Sequence, residues 1–144
     1  MLTSVTSVAT ELPPALVTGH ASIDDDHEEL LALANRCAVT SDEQLQADFL
    51  ALQARFAEHF AQEDALMAGV DFSSRECHLD EHAAVLQSFE QAAGLLRDGQ
   101  NEPARRMAHA LAGWLPEHID ALDRQLAKFL FHRRTGGAPV LLHR

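Results

Sequence analysis

The chain contains no tyrosine and only two cysteines, Cys37 and Cys77. The first absence removes phenolic acid–base and tyrosyl-radical chemistry. The second leaves no disulfide framework and too few thiolates for a cysteine-built zinc or iron–sulfur site. Basic residues are scarce as well, 11 Lys and Arg against 22 Asp and Glu, and a formal charge of −11 repels phosphate backbones and anionic lipid surfaces. Neither nucleic acid nor membrane is therefore an expected partner. No apolar run approaches the ~20 residues of a membrane span. Met1 to His20 has neither the basic start nor the unbroken apolar stretch of a secretion signal, so the expected location is cytoplasmic. Glycine and proline are sparse, seven and five, beside 47% hydrophobic residues, which excludes collagen-like and disordered chains. A length of 144 residues is close to the commonest domain size, and one monomeric domain spanning residues 1–144 is expected.

What the chain has in excess is histidine, nine in all, set within amphipathic helical patterns. Strand signals are missing. The first helix is expected from about Ser22, with Ile23, His27, Leu30, Ala34 and Cys37 on one face. A second starts at the capping box of Ser41 and Gln44. It carries Leu45, Phe49, Leu52, Phe56, His59, Glu63 and Leu66 in alternating steps of four and three, and stops at Gly69. A third is expected from a capping box of Ser73 and Glu76, with His78, His82, Val85, Phe89, Ala92 and Leu96 on its stripe, ending at Asp98 and Gly99. The fourth starts around Asn101 to Pro103 and runs to about Phe131 on Met107, Leu111, Leu115, His118, Leu122 and Leu126. Four such helices joined by short turns lie antiparallel to their neighbours. The fold class is therefore all-α, an up-down-up-down four-helix bundle over about residues 22–131, with an irregular N-terminal arm (1–21) and a short, loose C-terminal tail (132–144).

Six seam positions are polar where the pattern asks for Leu or Phe: His27, His59, Glu63, His78, His82 and His118. A single histidine on an apolar face is more often a hydrogen-bonded core residue than a ligand. Six together on one bundle axis would cost several kcal/mol each if unpaired, and a bound metal is the economical compensation. The alternating helix directions bring all six to one end of the bundle. The i, i+4 pairs His59/Glu63 and His78/His82 put both partners on one face about 6 Å apart along the axis, a separation suited to two metals.

The segments IDDDHEEL, FAEHFAQEDALM, CHLDEH and WLPEHIDALD resemble the ligand motifs of the haemerythrin family, in its bacterial form, and the resemblance covers residues 16 to about 131. That family uses one His from the first helix, His-x-x-x-Glu from the second, His-x-x-x-His from the third and His-x-x-x-x-Asp from the fourth. The pattern implies a non-haem di-iron centre that binds dioxygen reversibly. By this resemblance His27, His59, His78, His82 and His118 are terminal ligands, and Glu63 and Asp123 are carboxylates bridging both irons. Asp123 rests on the resemblance alone, since five residues from His118 is about 140° round an α-helix. Three departures from the family pattern stand out. The arm lacks the tryptophan often found before the first ligand, Cys77 directly precedes His78, and Pro116 lies within helix four, where it should kink the chain just before His118.

The implied cofactor is a pair of iron ions (Fe2+/Fe3+) with a bridging oxo or hydroxo group. Five imidazoles, two bridging carboxylates and that group fill about eleven of the roughly twelve positions of two octahedral irons. The remaining position would take dioxygen, or azide or nitric oxide in its place. The resemblance builds the oxygen pocket from Phe60, Trp114, Leu115 and Ile119, an apolar lining that keeps out water and protons. A ferritin-like oxygenase would need Glu-x-x-His. The residues three before the nine histidines are Val17, Asp24, Phe56, Arg75, Leu79, Arg106, Leu115, Phe129 and Val140, so that motif is absent. A histidine-rich shell also favours reversible binding over oxygen activation, so the expectation is oxygen carriage, storage or sensing and not an enzyme. The alternative is a di-iron enzyme acting on peroxide or nitric oxide at the same site. His20, His109, His132 and His143 fit no ligand motif and are expected to be solvated. Cys37 and Cys77 are expected to be buried or half-buried thiols, and Asp24 to Glu29 a solvated acidic face.

Overall fold

A computed structural model describes residues 12–135. After a 3-10 turn at Pro14–Leu16 come α1 (Ala21–Val39), α2 (Asp42–Met67), α3 (Arg75–Arg97) and α4 (Glu102–His118). A π turn (Ile119–Asp123) then leads without a break into α5 (Arg124–Thr135). The fourth rod of the bundle is thus α4, the π turn and α5 end to end. α1 packs on α2 and α4, α2 on α3, and α3 on α4, which closes the ring of an antiparallel four-helix bundle.

The caps explain most of the helix boundaries. Ser41 Oγ accepts the Gln44 N–H at 3.2 Å and opens α2, and Gly69, at φ +76°, takes the left-handed conformation just past its end. At α1 the order is reversed. Asp24, inside the first turn, reaches back to accept from the N–H groups of Thr18 and Gly19 and from the Thr18 hydroxyl, at 2.7–3.0 Å. This ties the arm to the helix that follows it. Arg124 in α5 adds a second tie by donating to the carbonyls of Ala15 and Val17.

Two apolar clusters fill the interior. The larger includes Leu30, Phe49, Leu52, Phe56, Phe89, Leu111 and Leu115. The smaller is Ile23, Met67, Phe72 and Leu126. Ile23 lies one turn before His27, Met67 one turn after Glu63 and Leu126 just past Asp123, so the polar seam residues form a layer between the two clusters.

Four sequence expectations change. The capping box of Ser73 and Glu76 does not form: α3 begins at Arg75 with Ser74 at its N-cap, and the Ser74 hydroxyl donates to Gln125 of α5 instead of capping. The departure from regular α-helix expected at Pro116 occurs downstream, since α4 runs through the proline to His118 and the irregularity is the π turn. The tail expected from His132 is helical as far as Thr135, while residues 1–11 of the arm and 136–144 of the tail, His143 and Arg144 included, lie outside the described residues. Cys37 is buried as expected, but Cys77 is exposed.

Candidate metal centre

Seven titratable side chains from all four rods of the bundle meet in the layer between the apolar clusters. His27, His59, Glu63, His78, His82, His118 and Asp123 are each at most 3% exposed. Their potential ligand atoms fall into two groups, Glu63, His78, His82, His118 and Asp123 in one and His27, His59, Glu63 and Asp123 in the other, with the atoms of each group within 4.8 Å of one another. The two carboxylates belong to both groups.

How the carboxylates divide their oxygens is the informative detail. Glu63 Oε1 is 3.2 Å from Nε2 of His78 and of His82, whereas its Oε2 is 2.8 Å from His59 Nε2 and 3.8 Å from His27 Nε2. Asp123 Oδ1 is 2.7 Å from His78 Nε2 and 3.1 Å from His118 Nε2, and its Oδ2 is 2.8 Å from His27 Nε2. Each carboxylate therefore turns one oxygen to a three-histidine half and the other to a two-histidine half. The imidazole rings pack edge-on within those halves, at 4.6 Å for His78/His82, 5.1 Å for His78/His118 and 5.1 Å for His27/His59.

These atoms fit a metal better than they fit each other. Among the described residues, every buried side-chain polar atom without a hydrogen-bond partner, Arg75 Nε excepted, belongs to this cluster; Glu63 Oε1 and Oε2, Asp123 Oδ2 and the Nε2 atoms of His27, His59, His82 and His118 are among them. Leaving so many buried polar groups unsatisfied would be costly, and donors crowded together without hydrogen-bond alignment are what a pair of cations between them would require. The imidazole and carboxylate donor set suits first-row transition metals.

Three of the five outer nitrogens are held as a ligand's should be, while Nδ1 of His27 and of His78 is buried without a hydrogen-bond partner. His59 Nδ1 is 2.8 Å from Asp26 Oδ2, His82 Nδ1 is 2.9 Å from Asp64 Oδ1, and His118 Nδ1 is 2.8 Å from Glu81 Oε1. Each contact fixes the tautomer with Nε2 free to face inward. The three acids follow one rule: Asp26 on α1 serves α2, Asp64 on α2 serves α3, and Glu81 on α3 serves α4. All three escaped the sequence reading, which took the acidic stretch Asp24 to Glu29 as a solvated face. The available signal was adjacency, since each stands beside a seam residue (His27, Glu63, His82), and a neighbour about 100° round the helix faces the next helix.

Asp123 reaches the cluster because of the π turn. The Arg124 N–H bonds to the Ile119 carbonyl, an i→i+5 bond, so the five residues from His118 to Asp123 make one wide turn and both side chains face inward.

A model of the Hemerythrin HHE cation binding domain matches residues 18–130 of this chain. The chain belongs to the haemerythrin family. A bacteriohemerythrin of Ralstonia nicotianae (strain ATCC BAA-1114 / GMI1000) is 32% identical over 119 residues, covering 83% of this chain and 87% of the relative. No solved structure matches.

Around this haemerythrin cluster, Phe60 stacks on His82 (3.9 Å, 10°) and Trp114 on His118 (4.5 Å, 23°). Phe60, Leu115 and Ile119 are buried in the larger apolar cluster and Trp114 packs against it. Of the histidines outside the motifs, His109 and His132 are exposed, and His20 is half-buried with Nδ1 3.3 Å from Ser22 Oγ. A groove of about 800 Å³ opens elsewhere, between the start of α1 and α5, and none of the seven cluster residues lines it.

Proposed function

We propose that the seven residues hold two iron ions bridged by Glu63, Asp123 and an oxo or hydroxo group, and that the protein binds dioxygen reversibly without turning it over. The observation that carries this reading is the division of both carboxylates between a three-histidine and a two-histidine half. When bound, the irons would supply the redox couple for dioxygen and a ligation site for azide or nitric oxide. The residues of the chain do the rest. Five imidazoles and two shared carboxylates keep the donor set poor in negative charge, which favours reversible binding over activation. The two-histidine half offers one nitrogen fewer and would leave room there for a small ligand. Phe60, Trp114, Leu115 and Ile119 form the apolar lining, and with no tyrosine in the chain there is no phenol to deliver a proton.

The relative's name, bacteriohemerythrin, supports the same reading. No helix among the described residues is long and apolar enough to cross a membrane; we propose a monomer of one haemerythrin unit acting in the cytoplasm. The test is an optical titration of the reduced, iron-loaded protein with oxygen, followed by removal of the gas. A spectrum that appears with oxygen and disappears on its removal is the expected result. Irreversible bleaching, with catalytic consumption of peroxide or nitric oxide when either is added in a parallel assay, would replace the carrier with an enzyme.

A further inference from the structure

The three outer carboxylates are not held alike. Asp64 and Glu81 have side chains 42% and 41% exposed, and among the described residues no cation reaches either. Asp26 is 17% exposed and held on both oxygens: Oδ2 lies 2.8 Å from His59 Nδ1, and Oδ1 accepts from Arg55 Nη2 at 2.9 Å. The same guanidinium donates to Glu29 at 2.9 Å and to Glu58 at 3.1 Å, so it spans α1 and α2. Arg55 and His59 are i, i+4 on α2, with Asp26 of α1 reaching between them.

We propose that Arg55 is a positioning residue for the two-histidine half of the cluster, clamping Asp26 from outside so that the His59 ring is fixed with Nε2 aimed at the metal. The proposal rests on the di-iron reading above and adds to it a group that touches no ligand. The physical reason is local charge. Asp26 shares its neighbourhood with Glu29 and Glu58, and without the guanidinium their mutual repulsion would drive its carboxylate toward water and release the imidazole. A planar fork can serve Asp26 and Glu29 at once, which an ammonium point charge does less well. The half that carries this brace is the one with fewer nitrogens, where a loosened imidazole cannot be covered by a third.

The experiment follows loss of the first iron from the iron-loaded full chain to an excess of a ferrous-iron chelator, in the parent and in Arg55→Ala, Arg55→Lys, Asp26→Asn, Glu58→Ala and the double variant Arg55→Ala/Asp26→Asn. Loss of an outer partner of a ligating histidine weakens metal holding by about 10–100-fold. Arg55→Ala and Asp26→Asn should each accelerate release about tenfold, Arg55→Lys should recover part of that, and Glu58→Ala should match the parent. The double variant should be no faster than the faster single one, because both act through His59. A purely structural role for Arg55 would instead give effects that multiply in the double variant, or none on release, and either result overturns the proposal while leaving the two irons in place. A parent chain that takes up no iron overturns the di-iron reading and this proposal together.

Discussion

Glu63 and Asp123 sit where burial by itself would favour their protonated forms. The imidazoles of His59, His78 and His82 beside Glu63, and of His118, His27 and His78 beside Asp123, outweigh it and hold both carboxyls well below their ordinary range. Three of the histidines respond in kind. Burial pulls His78 down, but Asp123 and Glu63 prevail and push it from 6.5 up to about 9, and His59 and His118 are raised in the same way. Without metal, these three imidazoles therefore favour their protonated forms, in the place where the proposed irons would bind. A metal takes the neutral imidazole, so iron uptake near neutral pH should release protons, and affinity should climb as pH rises toward about 9. A pH indicator in weakly buffered solution reads this directly; uptake without acidification would contradict it. The linkage has the opposite sign for the metal-free fold. The stabilisation from His78 is complete below 6.5 and lost as pH rises through about 9, so denaturant midpoints of the metal-free chain should fall between pH 7 and pH 10. Leu115→Ala tests the apolar lining at the same scale. It should cost about 2–5 kcal/mol of stability and speed oxidation of the oxygenated protein while iron content holds. An unchanged rate in stopped-flow would reduce Leu115 to packing.

At the scale of the elements, what could be read from the sequence divides along physical lines. Helix faces were legible because burial repeats at the helical period: Leu45, Phe49, Leu52, Phe56, His59 and Glu63 are all buried on α2, as their spacing requires. The Ser41 cap was legible because it is local. The Ser73 box was misleading because the preference for a capping residue does not choose between neighbouring serines, and Ser74 has a tertiary partner in Gln125. Asp123 was invisible to periodicity because the fourth rod leaves the α-helical period at that point, and only the family motif pointed to it. The outer acids Asp26, Asp64 and Glu81 look like surface charges along their own helices, and their role emerges only when the next helix is in place. Far from the polar layer, Arg105 on α4 donates to the carbonyls of Ala38 and Thr40 and to Asp42, and so clasps the α1–α2 turn. Arg105→Ala should destabilise the fold by about 1–2 kcal/mol, since charged hydrogen bonds at a partly exposed site are lost. Its iron content should be unchanged. A thermal melt beside a metal assay checks both halves of that statement.

For the whole molecule, the cost of a polar layer inside an apolar bundle would couple metal binding to folding. Seven buried side chains, with few hydrogen bonds among them, separate two apolar clusters, and cations that bound only the folded chain would offset that cost. Free iron at a hundredfold its dissociation constant should add about 3 kcal/mol of stability, so melting temperature should rise with iron and return to the metal-free value on chelation. A field of −11 helps at long range, drawing cations in and keeping the chain clear of phosphate backbones. All of this depends on one count, the number of irons that a folded chain holds. Anaerobic loading with excess ferrous iron, removal of the unbound metal and elemental analysis against protein concentration should give about two irons per chain, and clearly fewer in Asp123→Ala, which removes a carboxylate common to both halves. One iron per parent chain, or two retained by Asp123→Ala, would contradict a centre built on shared carboxylates.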